Sequence, residues 1–189
     1  VHTLTSSFVL GFHGCDLGVA EKLLAGDDFK RSQNDYDWLG HGIYFWEANP
    51  NRGLSFAQEA ASRRRAGPRI ARPAVVGAII DMGLCLDLTT TSGVSEVRAA
   101  YEAYKEIVAS SGLPTPTNSK DKLRRSLDCA VINTLHSIRA GEGDVAIDTV
   151  KGVFAEGNPI YPEAGILEKT HIQICVRSSD CIKGVFRVR

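Results

Sequence analysis

Two short motifs hold the residues of this chain best suited to chemistry. His13-Gly14 follows the apolar run Phe8-Val9-Leu10-Gly11-Phe12, and Gly40-His41-Gly42 leads directly into Ile43-Tyr44-Phe45. Glycine accepts dihedrals and close backbone approaches that other residues do not. A tyrosine leaving a glycine-flanked turn offers a ring face for stacking on a flat ligand. A histidine beside a bare backbone edge adds a ring nitrogen that can bond a hydroxyl. One aromatic wall, paired amide contacts and a sugar hydrogen bond are what a nicotinamide pocket requires. Farther along, His171-Ile172-Gln173-Ile174-Cys175-Val176 alternates as a half-buried strand and carries Gln173.

Strand-like runs must position these residues. Residues 5–12, 74–80 and 84–88 read as strands, and 171–176 and 181–188 form a second group near the end of the chain, separated by the polar turn Arg177-Ser178-Ser179-Asp180. A helix over 17–25 ends at Gly26, and Pro50-Asn51 opens another that runs to about residue 66. Residues 92–110 place Val94, Val97, Tyr101, Tyr104 and Val108 on one stripe, and Ser119 is positioned to cap a further helix carrying Leu123, Leu127, Val131, Leu135 and Ile138. The order is strands, a helical insertion over about 92–140, then strands. It describes one α+β domain spanning residues 1–189.

The motifs and their order resemble the ADP-ribosyltransferase fold, in its diphtheria-toxin-like, poly(ADP-ribose)-polymerase-like branch. The resemblance rests on His13-Gly14 and on Gly40-His41-Gly42-Ile43-Tyr44-Phe45, and a helix containing Phe56 follows them more loosely. It implies a split β-sheet core with peripheral helices, and NAD as co-substrate. By the same resemblance His13 bonds the adenine-proximal ribose, the Gly14 backbone pairs with the nicotinamide amide, and Tyr44 stacks on the ring beside Gly42. Phe56 is a candidate for the opposite wall. The family's catalytic glutamate falls here on Gln173, as in some bacterial members of the wider fold; Glu163 and Glu168 are the other candidates for that position. A glutamine still accepts a hydrogen bond, but adds no charge to an oxocarbenium-like state and serves as no general base. The resemblance thus implies a catalytic trio of His13, Tyr44 and Gln173 performing mono-ADP-ribosyl transfer rather than polymer formation. It also implies an acceptor-selecting loop before the late strand, with Tyr161 and Glu163 as contact residues. The acceptor is a protein or a nucleic acid, the setting is that of a bacterial toxin or effector, and a neutralising antitoxin or immunity protein is an allowed partner. A non-catalytic NAD- or ADP-ribose-binding module and an NAD glycohydrolase are the alternatives.

The 22 basic and 22 acidic residues cancel, which removes any global pull toward nucleic acid or an anionic membrane. The longest apolar run, Ala74-Val75-Val76-Gly77-Ala78-Ile79-Ile80, is too short to cross a bilayer. Five scattered cysteines lack metal-ligand spacing and read as reduced thiols, so no metal is expected. A cytoplasmic protein is expected, with delivery into a target cell kept open because no signal segment opens the chain. Lys120, Lys122, Arg124 and Arg125 read as a basic cluster at a helix start, and Asp128 as either a hydrogen-bonded carboxylate or a support for the site.

Overall fold

The computed structural model describes residues 8–62, 70–112 and 114–189. It is an α+β protein with a seven-stranded mixed sheet and, among the described residues, four α-helices. In chain order the elements are β1 (Val9–Asp16), α1 (Leu17–Leu24), β2 (Ile43–Glu47), α2 (Pro50–Ser62), β3 (Pro73–Ile80), β4 (Cys85–Asp87), α3 (Thr91–Ser111), α4 (Ser126–Glu142), β5 (Thr149–Phe154), β6 (His171–Val176) and β7 (Ile182–Arg187). The sheet order is β4-β5-β6-β2-β1-β3-β7, parallel only at β4–β5.

Residues opposite one another in a ladder share a face. Tyr44 and Trp46 of β2 therefore lie with Cys175 and Gln173 of β6, and with Val150 and Gly152 of β5. This face carries α3 and α4 over the β4–β5–β6 half, where Leu86, Ala100, Val131, Ile132, Leu135, Val150 and Cys175 form one core. The same face carries α2 over β1 and β3. Close packing there depends on glycine, since a Cβ on Gly14 would collide with the Gly53 carbonyl oxygen of α2. The opposite face holds Ile43, Phe45, Ala78, Ile80, Ile174 and Val176, and α1 adds Ala20 and Leu23 against Cys15 and Val76.

Several expected elements are displaced. β1 runs to Asp16, so His13-Gly14 sits inside the strand rather than at its end; residues 5–7, where the strand was expected to start, lie outside the described residues. The helix α2 is described to Ser62, and its expected end near residue 66 also lies outside them. α2 starts as expected: Asn49 Oδ1 accepts from Arg52 N at 3.0 Å, with Pro50 in the first turn. α4 does not start at Ser119. Residues 119–125 form a turn held by Ser119 and Asp121, and Asn118 Oδ1 caps α4 from outside by accepting from Leu127 N at 3.0 Å and Asp128 N at 3.3 Å. Leu123 consequently belongs to the turn and is exposed. β5 was not expected at all. No helix among the described residues is long and apolar enough to cross a membrane.

Candidate active-site cleft

β1 and β2 pair only at Gly11–Glu47 and Phe12–Trp46, whereas β1 pairs with β3 along its full length. Ala48 N donates to Leu10 O at 2.8 Å, which fixes the even-numbered residues of β1 as the ones whose backbone groups turn toward β2. Gly14 therefore turns its N–H and C=O to the side where the β2 ladder has ended. His13 fills the opening instead, and its Nδ1 lies 2.9 Å from the Tyr44 carbonyl oxygen. A cleft of about 1300 Å³ opens at this point. It is lined by His13, Gly14, Gly42, Tyr44, Phe56 and Gln173, and so brings together the six residues expected to bind the dinucleotide or act on it.

Each is held by its surroundings. A carbonyl only accepts, so His13 Nδ1 carries the proton and donates. Burial pushes the His13 pKa below the ordinary imidazole value, partly offset by that same hydrogen bond. The lowered pKa favours the neutral ring, whose remaining nitrogen, Nε2, is an acceptor. The Tyr44 hydroxyl donates to Gly40 O at 2.8 Å and accepts from Leu39 N at 2.9 Å, locking the turn that precedes β2. Burial, then Cys175 and Asp37, raise its pKa well above that of a free phenol. Gly40 adopts φ +78°, a left-handed conformation suited to glycine, and a Cβ on Gly42 would lie 2.7 Å from Val176 O. The glycine pair thus shapes the turn and its approach to β6.

Gln173 is organised by a residue to which the motifs assigned no role. Trp38 Nε1 donates to Gln173 Oε1 at 2.6 Å. An indole N–H only donates, so this contact fixes the orientation of the amide and leaves its NH2 group as two further donors. Trp38 is itself wedged against Gly152, where a Cβ would lie 2.7 Å from the indole ring. Arg125 lies 4.8 Å from the Trp38 ring centroid and 4.5 Å from that of Phe154. Arg125 therefore stacks on aromatic rings rather than facing solvent, and Asp128 supports it at 3.8 Å while accepting from Asn118 Nδ2 at 2.8 Å.

The other expected residues lie elsewhere. Tyr161 is 58% exposed, Glu163 sits at φ +64°, and neither lines the cleft. Glu168 Oε2 accepts from Asn158 N at 3.2 Å and also lies off the cleft wall. Gln173 thus lines the cleft from β6, and neither Glu163 nor Glu168 does. The cleft does hold carboxylates, Asp37, Glu59, Asp121 and Glu156. Glu156 is held at 2.9 Å by the buried Arg52, and Lys169 lies 2.9 Å from Glu59. Trp46 and Phe56 stack with centroids 4.9 Å apart, which makes Phe56 part of an aromatic wall with Trp46. The five cysteines are free; burial raises the thiols of Cys129 and Cys175, to about 11 and about 12, and keeps them protonated.

No protein-family model matches the chain, and no curated protein or solved structure matches it.

Proposed function

We propose that this protein is an NAD-dependent mono-ADP-ribosyltransferase acting on a macromolecular acceptor, built on an ADP-ribosyltransferase-like split sheet. One observation carries the reading: His13, Tyr44 and Gln173, from three separate strands, meet in one cleft where β1 and β2 part. The volume exceeds the ~300–1,000 Å³ usual for small-ligand sites, which suits a dinucleotide. The donor set fits as well. His13 Nε2 accepts from a ribose hydroxyl, the Gly14 backbone edge offers one donor and one acceptor to a carboxamide, and the Tyr44 ring supplies a flat wall.

NAD supplies the leaving group and the sugar to be transferred. The chain contributes orientation and exclusion of water. Gln173 positions the ribose through its amide, held by Trp38, without adding charge. A neutral residue here suits an acceptor that is already nucleophilic, since Gln173 takes no proton from it.

The same neutral amide favours a second reading, a module that binds NAD or ADP-ribose without reacting. Nicotinamide release separates the two. Time-dependent release with label appearing on a macromolecule supports transfer, and release without label supports hydrolysis. NAD binding without release would remove the enzymatic reading.

A further inference from the structure

A second cavity, of about 400 Å³, opens between α3, α4 and Trp38. Val94 and Val97 of α3, Leu127 and Val131 of α4, and the rings of Trp38 and Tyr101 give it apolar walls. Val94 is 44% exposed, so the fold leaves part of this wall to water. The volume lies within the ~300–1,000 Å³ usual for sites that hold one small molecule.

Two guanidinium groups interrupt these walls. Arg98 lines the cavity and forms no ion pair among the described residues; Glu102, one turn farther along α3, is held by Lys105 Nζ at 2.6 Å. Arg125 lines it too, and its side chain is only 17% exposed. Its Nε donates to Lys122 O at 2.8 Å, and its Nη1 lies 3.8 Å from Asp128 Oδ2, beyond hydrogen-bond reach. Asp128 is itself engaged by Asn118 Nδ2 at 2.8 Å. A half-buried cation without a hydrogen-bonded anion is costly, and burial lowers the Arg125 pKa. Its Nη groups make no hydrogen bond among the described residues, yet they are not sealed from solvent. Two guanidinium groups against one carboxylate leave a single positive charge at the cavity.

We propose that this cavity binds a small amphipathic monocarboxylate, its apolar body against the α3–α4 walls and its carboxylate paired with Arg98 and Arg125. Apolar walls alone would admit any oily molecule; the guanidinium groups select the anion, and the single net charge suits a carboxylate better than a phosphate. Trp38 borders both cavities, whereas Trp46 borders only the first. Trp38 therefore senses an occupant here, one side chain away from Gln173. The inference requires neither NAD nor the transferase reading.

The chain has two tryptophans, so a 15N spectrum shows two indole N–H resonances, and Trp46→Phe or Trp38→Phe assigns them. The wild-type protein is titrated, without NAD, with octanoate, octanol and octylammonium, which share one apolar body and differ in charge. The expected result is a saturable shift of Trp38 with Trp46 unmoved. Octanol should bind about tenfold more weakly than octanoate, the loss of one hydrogen bond to a charged group. Arg98→Ala, at an exposed helix position, should weaken octanoate about tenfold and leave octanol unchanged. A shift of Trp46 as well would place the ligand in the first cleft and overturn the proposal. Equal affinities for the three ligands, no saturable shift, or wild-type octanoate affinity in Arg98→Ala would overturn it too. Because no turnover is involved, failure here leaves the transferase reading to its own test.

Discussion

Replacing Gln173 by glutamate tests the chemistry of the cleft with the smallest change in shape. Trp38 donates to Gln173 Oε1 at 2.6 Å, and in Gln173→Glu one carboxylate oxygen retains that bond. The other oxygen takes the place of the NH2 group, so two donors toward the cleft become an acceptor bearing charge. Hydrogen bonds to a charged group are worth ~1.5–3 kcal/mol against ~0.5–1.5 for neutral ones, so the exchange adds about 1 kcal/mol to any bond the carboxylate accepts. If that bond comes from the reacting ribose, the added charge opposes the positive charge developing on the sugar. A gain of about 1 kcal/mol corresponds to about fivefold in rate. The assay is nicotinamide release under single-turnover conditions, beside thermal unfolding and NAD affinity for the same variant. Release should rise about fivefold, with hydrolysis gaining on transfer because a carboxylate also activates water. Unchanged release and partition, in a folded variant that binds NAD normally, would place Gln173 away from the reacting sugar and refute the reasoning.

Three further outcomes are expected. His13→Asn keeps an amide donor for the Tyr44 carbonyl but removes Nε2, so NAD affinity measured by calorimetry should fall about fivefold while the thermal midpoint holds; a fall in stability alone would make His13 purely structural. Tyr44→Phe retains the ring and loses the hydroxyl bonds to the 39–40 backbone, so NAD binding should persist while urea denaturation reports a loss of about 1–2 kcal/mol; Tyr44→Ala, which empties a packed position, should cost about 3–5 kcal/mol and is unsuitable as a binding test. Burial, then Arg177, Arg139 and Arg31, lower the His136 pKa to about 3, so the native state binds fewer protons than the unfolded chain, whose histidine titrates near 6.5. The His136 contribution to stability is complete above pH 6.5 and declines below it, by about 1 kcal/mol per pH unit before carboxylates begin to titrate; urea midpoints between pH 7 and 5 should show the decline and His136→Phe should make it shallower without abolishing it, since the buried His13 and His171 rings act with the same sign, whereas a flat wild-type profile would contradict a neutral buried ring.

The cleft was legible in part because its principal residues sit in local motifs. Glycines at 40 and 42 answer demands of the turn, a left-handed conformation and a close approach to β6, and the alternation of residues 171–176 marked the strand that carries Gln173. β5 was hidden by Lys151 and Gly152, which interrupt its apolar run for reasons distant in sequence: Lys151 pairs with Glu47 at 2.9 Å, and Gly152 lies under Trp38. The start of α4 was misread because Ser119 has the residue type of a cap, whereas Asn118 makes the capping bonds from outside the helix. Tyr161 and Glu163 were placed by loop position alone, and the loop carries them away from the cleft lining.

The most direct test of the transferase reading is transfer of label from adenine-labelled NAD into a cell lysate by the wild-type protein, divided between protease and nuclease digestion. The account predicts a labelled macromolecule whose sensitivity identifies it as protein or nucleic acid, and much weaker labelling by the folded His13→Asn variant. A folded wild-type protein that binds NAD yet labels nothing and releases no nicotinamide would contradict it.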